Sequence, residues 1–388
     1  MRSWTSAFRP RSLVVAALAT LGACHAAPAP APAARAAAAA PAPASPDFAR
    51  LVAELSEPGG YFDSDNLVTN ETSYLHVVGA LKRNGVQGGA YIGVGPDQNF
   101  SYMAAIRPSV AFMFDIRRDN MLEHLIFKAI FQRARNRAEY LALLLGRPVP
   151  ADVEGWSSRP LDALIAHFDT VSMTPPSEAA ARAAVTEGIR RTGVPLDSSD
   201  WATIRRFHGA FIADGLDIRY ESRGRPGRGF FPSLHELLLA RDVDGTEANF
   251  LAREADFQFL KDLEARDRVI PITGNLAGPK ALAAVGAWVR SQGEHVSALY
   301  TSNAEDYVMR DGGFPQFEKN VAALPRDAKS VIIRSYFGGF RGQHPFNVPG
   351  FRSTQLLQPI DAFAAQVAKG GYTDYFMLVT DGAIDPRK

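Results

Sequence analysis

The stretch Gly88–Asn120 reads GGAYIGVGPDQNFSYMAAIRPSVAFMFDIRRDN, and it predicts a strand, a glycine turn, a helix and a second strand. The apolar run Ala90–Val94 leads directly into the turn around Gly95. Glycine permits a sharp backbone turn and the close approach of a ligand. Pro96 then has a backbone angle suited to the first turn of a helix.

The second half of this stretch places an acid at the end of the second strand. The helix is expected to end near Ile106, because a residue preceding a proline, here Pro108, disfavours helical backbone angles. The apolar run Val110–Phe114 follows and ends in Asp115, which lies 20 residues after Gly95. At that offset an acidic side chain can reach the ribose of a bound nucleotide.

The later chain continues the alternation of apolar strands and amphipathic helices. This alternation predicts an α/β fold with a mostly parallel sheet and helices on both faces. Strands are expected at 268–273, 295–300, 330–336 and 372–380, and helices at 234–241, 247–266, 280–291 and 354–369. Residues 149–232 interrupt the pattern with proline- and serine-rich loops and short helices, which predicts a helical insertion. Its segment 219–228, RYESRGRPGR, is interpreted as a surface loop or as a cover for an anionic ligand.

The N-terminus reads as a targeting segment covering residues 1–23. A basic start precedes an apolar run, Ser12–Ala23, that is too short to span a bilayer. The run ends in Leu-Gly-Ala-Cys24, which resembles the lipobox of bacterial lipoproteins, and this resemblance implies a lipidated Cys24 as the first mature residue. His25 rather than aspartate follows, so the resemblance favours the outer membrane over retention in the inner membrane. The alternative is a plain signal peptide with an incidental cysteine.

Composition defines the rest of the organisation. Residues 24–46 are almost entirely alanine and proline, which predicts a semi-rigid tether, so the globular part covers 47–388. The formal net charge is +1 with no basic stripe, which argues against a nucleic-acid partner. The eight histidines are scattered and there is one cysteine, so no metal site is predicted. The oligomeric state is left open.

Polar residues follow the predicted strands, where ligands bind in open parallel sheets. The candidate site therefore combines these strand ends: Gly93, Gly95, Asp97, Gln98, Asn99, Asp115, Arg117, Asn275, Ser302, Asn303 and Tyr307. Glu71 and Tyr74, one helical turn apart, either cap and staple a helix or line the mouth of the site. His124 and Lys128 share a helix face, which is expected to be solvated. The chain lacks the Gly-x-Ser-x-Gly turn of α/β-hydrolases.

Segments 90–118 and 268–307 resemble the Rossmann-like core of class I S-adenosylmethionine-dependent methyltransferases. The resemblance implies that the turn of Gly93 and Gly95 packs against S-adenosylmethionine and that Asp115 binds its ribose. It also implies that Asn275 contacts the adenine and that Ser302, Asn303 and Tyr307 face the acceptor substrate, which stays unnamed.

The glycine turn departs from the family pattern of acid-x-Gly-x-Gly-x-Gly. Tyr91 stands at the position of the acid and Asp97 at that of the third glycine. A carboxylate at Asp97 suits a cationic sulfonium cofactor better than a pyrophosphate at a helix N-terminus. Two hypotheses follow: a methyltransferase-like lipoprotein that uses S-adenosylmethionine, and a non-catalytic envelope binding or accessory lipoprotein on the same scaffold.

Overall fold

The computed structural model describes residues 46–223, 229–338 and 342–388, and within them six strands form one sheet. The strands are β1 Ala90–Val94, β2 Val110–Asp115, β3 Val269–Thr273, β4 Val296–Ser302, β5 Val331–Phe337 and β6 Ser353–Pro359. The helices of the first half are α1 Pro46–Leu55, α2 Val78–Arg83, α3 Gln98–Ile106, α4 Arg118–Arg133, α5 Arg137–Leu144, α6 Leu161–Thr170, α7 Pro175–Arg191 and α8 Ser198–Asp214. Those of the second half are α9 Leu234–Leu238, α10 Glu254–Ala265, α11 Ala281–Ser291, α12 Ala304–Arg310, α13 Phe314–Ala322, α14 Ile360–Ala368 and α15 Tyr375–Thr380.

The sheet order is β3-β2-β1-β4-β5-β6, with β1 to β5 parallel and β6 antiparallel to β5. This order is that of doubly wound nucleotide-binding folds, in which the chain reverses its direction of winding between β1 and β4. The predicted α/β class, with a mostly parallel sheet and a helical insertion, is confirmed. Ligands in such sheets bind where the winding reverses, at the carboxyl ends of the strands.

Helix α4 lies in the interior of the protein, although its mixed sequence suggested a solvated face. It packs against β2 and β3 on one side and against α7 and α8 of the insertion on the other. His124 and Lys128 are both buried, so the prediction that their face is solvated was wrong. The reason is tertiary, because His124 contacts the Gly95 carbonyl, and Lys128 donates to the Glu264 carbonyl of α10 and lies over the Phe48 ring of α1.

Two C-terminal predictions were also wrong. Segment 353–359 is strand β6 rather than the start of a helix. Its polar residues Gln355 and Gln358 are fully buried, whereas the predicted helix would have placed them on a solvated face. Tyr375–Thr380 is helix α15 rather than a strand. Asp374 caps that helix by accepting the N–H of Met377, so the local cap outweighs the strand preference of aromatic and β-branched residues.

The predicted lipidation site, Cys24, and residues 24–45 of the tether lie outside the described residues, as does 224–228 of the arginine-rich segment; Pro46, the last predicted tether residue, begins α1. Within the described part of the chain, no helix is long and apolar enough to cross a membrane. Arg219 and Arg223 are described, and both form ion pairs with carboxylates, Arg219 with Glu236 and Arg223 with Asp65.

Candidate functional site

Residues 56–73, which we call the strap, run across the carboxyl edge of the sheet. The strap starts at β3, where the N–H of Glu57 donates to the Thr273 carbonyl (2.9 Å) and Ser56 Oγ accepts the N–H of Thr273 (3.1 Å). The Glu57 carboxylate accepts the N–H groups of Asn275 (2.9 Å) and Lys280 (3.0 Å). The loop after β3 is therefore closed by a carboxylate of the chain itself.

The strap next passes over β2. The N–H of Gly60 donates to the Ile116 carbonyl (2.7 Å), and Arg117 Nη1 donates to the carbonyls of Ser64 (3.0 Å) and Asp65 (2.6 Å). The Asp65 carboxylate in turn pairs with Arg206 of α8 and with Arg223. This part of the strap is therefore held by Arg117 on one side and by Arg206 of the helical insertion on the other.

The predicted ribose acid, Asp115, is engaged by a neighbouring residue. Arg117 donates to Asp115 Oδ1 from its backbone N–H (2.9 Å) and its Nε (3.0 Å), and to Oδ2 from Nη2 (2.9 Å). The arginine side chain is 5% exposed and that of the aspartate 11%. Both carboxylate oxygens of Asp115 therefore have a charged partner inside the protein.

The first glycine of the turn faces protein rather than open space. A side chain at Gly93 would collide with Asn99 Oδ1 and the Tyr91 hydroxyl, which donates to that oxygen (2.7 Å). Asn99 Nδ2 donates to the carbonyls of Val94 (2.9 Å) and Pro96 (2.7 Å). Asn99 thus ties the turn together, and its own polar atoms are used in doing so.

The second glycine lies beside a group of buried polar atoms. Gly95 has φ +80°, which glycine adopts without strain, and its carbonyl contacts His124 Nε2 at 2.9 Å. A carbonyl only accepts, so the neutral ring carries its proton on Nε2 and leaves Nδ1 as an acceptor. Within the described residues, these buried atoms have no hydrogen-bond partner: His124 Nδ1, Gln98 Oε1, Glu123 Oε1 and Oε2, and Asn120 Oδ1 and Nδ2.

The spacing of α4 explains how these atoms come together. Glu123 and His124 follow Asn120 by three and four residues, so all three lie on one side of the helix. His124 fixes that side against Gly95, and Gln98 is the first residue of α3 on the other side of the turn. Buried polar atoms without a partner are rare and each needs an explanation, such as a bound ligand.

Two carboxyl groups near the turn have raised pKa values. Burial raises the pKa of Asp97 to about 7, against the opposing effect of the backbone N–H groups of Asp97 and Gln98. Burial also raises the pKa of Glu123 well above its usual range, and the nearby Asp97 raises it further while Arg117 lowers it. The turn is therefore flanked by two acids that hold their protons more tightly than exposed carboxyl groups do.

Replacing Asp97 by asparagine should stabilise the ligand-free protein at pH 8 and have little effect at pH 4. In the unfolded chain the acid ionises near its ordinary pKa of 3.8, and in the folded protein near 7. The folded state binds the extra proton between these values, so wild-type stability falls as pH rises through this window. The gain at pH 8 should be about 4 kcal/mol, because the two pKa values differ by about three units at roughly 1.36 kcal/mol each.

Thermal melts of both proteins at several pH values measure this effect. The melting temperatures should converge as the pH falls towards 4. Parallel pH curves for the two proteins would mean that Asp97 is ionised at its ordinary pKa and faces water.

The residues predicted to line the mouth of the site or face the acceptor substrate do not all lie together. Glu71 and Ser302 meet directly, since Ser302 Oγ donates to Glu71 Oε1, and Asn303 Oδ1 lies 3.4 Å from that hydroxyl. Tyr74 points elsewhere, because its hydroxyl donates to the Leu237 carbonyl. Tyr307 is 40% exposed and its ring packs against Phe62 of the strap.

Sequence reasoning missed several residues of the site. Asn120 and Glu123 were not singled out, and neither was Tyr300, whose hydroxyl accepts from Gln98 Nε2 (3.2 Å) and donates to Glu71 Oε2 (2.8 Å). The available signal was the spacing of Asn120, Glu123 and His124 on the helix that follows Asp115. This spacing did not predict a site, because a helix face of mixed polar residues near a helix start usually contacts water.

The positions that the resemblance assigns to S-adenosylmethionine do not fit this cofactor well in the described conformation. The ribose acid, Asp115, is paired with Arg117, and the turn at Gly93 is filled by Asn99. Asn275 Oδ1 accepts the N–H of Ala277 (2.9 Å), and its backbone N–H is bound by Glu57. The acceptors beside Gly95 are the part of the site whose polar atoms have no partner among the described residues.

Comparison with known proteins gives a family and no function. The family model described as a domain of unknown function (DUF7790) matches residues 66–147 and 223–386. The chain therefore belongs to this family. The match leaves out 148–222, which contains most of the helical insertion, and includes the glycine turn, Asp115, Glu123 and Ser302. No curated protein matches the chain.

Proposed function

We propose that this member of the DUF7790 family is an envelope lipoprotein that binds a small ligand rich in hydroxyl or ammonium groups. The proposed site lies beside Gly95, at the point where the sheet reverses its winding. The observation that carries the proposal is the set of buried atoms on Gln98, Glu123 and His124 that accept no hydrogen bond from the described residues. The envelope location rests on the Cys24 sequence alone.

The chemistry of these atoms supports a ligand that donates hydrogen bonds. Gln98 Oε1 and His124 Nδ1 are acceptors, the protonated Glu123 carboxyl keeps one acceptor oxygen, and unmatched buried acceptors cost free energy. Asp97 adds a carboxyl group next to them. In the described residues no group of three or more His, Cys, Asp or Glu side chains is arranged to hold a metal ion, which favours an organic donor.

Methyl transfer from S-adenosylmethionine is the second candidate. Its support is the pair of acids, Asp97 and Glu123, beside the glycine turn, because a carboxylate suits the ammonium and sulfonium charges of that molecule. Against it stands the pairing of Asp115 with Arg117, which occupies the acid expected to bind the ribose.

Calorimetry and thermal melts of the full-length chain in detergent test both candidates. The probes are glucosamine, spermidine and S-adenosylmethionine, with NAD as an anionic comparison. At least one of the first three should bind and raise the melting temperature, since a ligand at 100 times its Kd stabilises the folded state by about 2.7 kcal/mol. NAD should not bind, because its pyrophosphate would face Asp97 and Glu123.

Variants connect binding to the site. Glu123→Gln removes the negative charge that Glu123 acquires when a bound ammonium group favours its ionisation, and should weaken binding at least about tenfold, which corresponds to roughly 1.4 kcal/mol. The matched control is Glu187→Gln, because Glu187 is an exposed acid on α7. Binding of S-adenosylmethionine alone, weakened tenfold by Asp115→Ala, would favour the methyltransferase candidate. Absence of binding by all three probes would reject the proposal.

A further inference from the structure

The carboxyl end of β4 has an irregular backbone at Ser302. The pairing of β4 with β5 shifts register between Tyr300 and Ser302, and Ser302 has φ +54°. A residue with a Cβ atom is uncommon in this left-handed region, and strand bulges of this kind redirect side chains next to active sites. The following residues begin α12, so Ser302 lies at a sharp turn from a strand to a helix.

The side chain at this turn contacts a buried acid. Ser302 is half-buried, and its hydroxyl donates to Glu71 Oε1, whereas Glu71 is 1% exposed. The other carboxylate oxygen, Oε2, accepts from the Tyr300 hydroxyl (2.8 Å) and from Gln355 Nε2 (2.5 Å). Two neighbouring groups therefore fix the orientation of the acid and leave Oε1 to the serine.

Burial makes this acid a stronger base than an exposed glutamate. It raises the pKa of Glu71, although the hydrogen bonds from Ser302, Ser335, Tyr300 and Gln355 act in the opposite direction. A base within hydrogen-bond reach of a hydroxyl, itself oriented by further groups, is the arrangement that activates serine nucleophiles. A strained backbone at the nucleophile, on a turn from a strand to a helix, is a second feature of such sites.

We infer that Ser302 is a nucleophile and Glu71 its general base, and that this site hydrolyses small carboxylic esters. Ser302 Oγ would attack the ester carbonyl carbon while its proton passes to Glu71 Oε1. Collapse of the tetrahedral intermediate breaks the bond to the alcohol, which takes the proton from Glu71. Water then attacks the acyl-serine, gives its proton to Glu71, and Ser302 leaves with that proton. The backbone N–H of Asn303, the residue after the nucleophile, would donate to the oxyanion.

This inference goes beyond ligand binding at Gly95 and does not depend on it. The competing explanation is that Ser302 only anchors the strap through Glu71. The two differ in reactivity, because an anchoring hydroxyl has no reason to react with an electrophile faster than other serines do. Glu71→Gln separates them, since glutamine retains a hydrogen-bonding side chain of the same size but cannot accept a proton.

The test treats the full-length protein with a fluorophosphonate probe, which forms an Oγ–P bond and releases fluoride. Peptide mass spectrometry should find the adduct on Ser302. Ser302→Gly should abolish it, and this variant should fold because glycine adopts φ +54° without strain. Glu71→Gln should slow labelling at least about a hundredfold, the usual contribution of a general base. The labelling rate of the wild type should rise with pH as Glu71 ionises.

Ser109→Ala is the matched control, because Ser109 is exposed and precedes β2 at the opposite edge of the sheet. It should label at the wild-type rate. Hydrolysis of p-nitrophenyl acetate should follow the same order among the four proteins. A folded wild type that resists the probe, an adduct on another serine, or equal rates for wild type and Glu71→Gln would each overturn the inference.

Discussion

Replacing Arg117 by alanine should lower the free energy of unfolding by about 3–5 kcal/mol, the usual cost of removing one partner of a buried ion pair. The change leaves the Asp115 carboxylate, 11% exposed, without its charged partner. It also removes the donor to the Ser64 and Asp65 carbonyls of the strap. Chemical denaturation of both proteins measures the loss.

The same variant should loosen the strap more than the rest of the fold. Hydrogen exchange of residues 60–66 should accelerate relative to that of β1, because the strap loses a side-chain anchor whereas the sheet keeps its hydrogen bonds. Arg50→Ala is the control, since the Arg50 ion pairs on α1 are exposed and should cost less than about 1 kcal/mol. Equal losses for Arg117→Ala and Arg50→Ala would show that Arg117 is not a structural anchor.

A second large effect is expected at the buried pair of Arg334 and Glu305. Both side chains are fully buried, and Arg334 donates to Glu305 Oε2 (2.7 Å) and to Gln358 Oε1 (2.6 Å). Burial raises the pKa of Glu305, and Arg334 is the main group that counteracts it. Arg334→Met should therefore destabilise the protein by about 3–5 kcal/mol, because it leaves a buried acid without its partner.

The double variant Glu305→Leu/Arg334→Met should regain most of that stability. Replacing both members of a buried pair by apolar side chains of similar volume is often neutral or stabilising. Arg266→Met, at an exposed pair with Asp262 on α10, should cost less than about 1 kcal/mol. A double variant as unstable as the single one would show that packing, rather than the unpaired acid, determines the loss.

The strap relates these predictions to function. Arg117 holds strap residues 64–65 across the edge of the sheet, and strap residue Asn66 lies close to Gly95. Under the proposed function, a ligand would approach the acceptors beside Gly95 past this segment. We therefore expect Arg117→Ala to change the rate of ligand association as well as stability.

The sequence alone determined those parts of the site that depend on the order of residues within a short stretch of chain. The run from Ala90 to Asp115 has apolar residues, glycines and a proline in an order that predicts a strand, turn, helix and strand, and the structure has β1, α3 and β2 there. The rule that parallel strands end at one edge then brought Gly95, Asp115 and Ser302 to the same side of the sheet. These inferences needed no knowledge of which distant segments touch.

Only the tertiary structure decided what those residues contact. Arg117 pairs with Asp115 because the strap places the Ser64 and Asp65 carbonyls around the guanidinium group. Glu123 and His124 are buried because inserted helices and the glycine turn cover α4 from two sides. Sequence periodicity shows which residues share a helix face, but burial depends on segments far away in the chain, and burial sets the pKa values and the unmatched acceptors on which the proposed function rests.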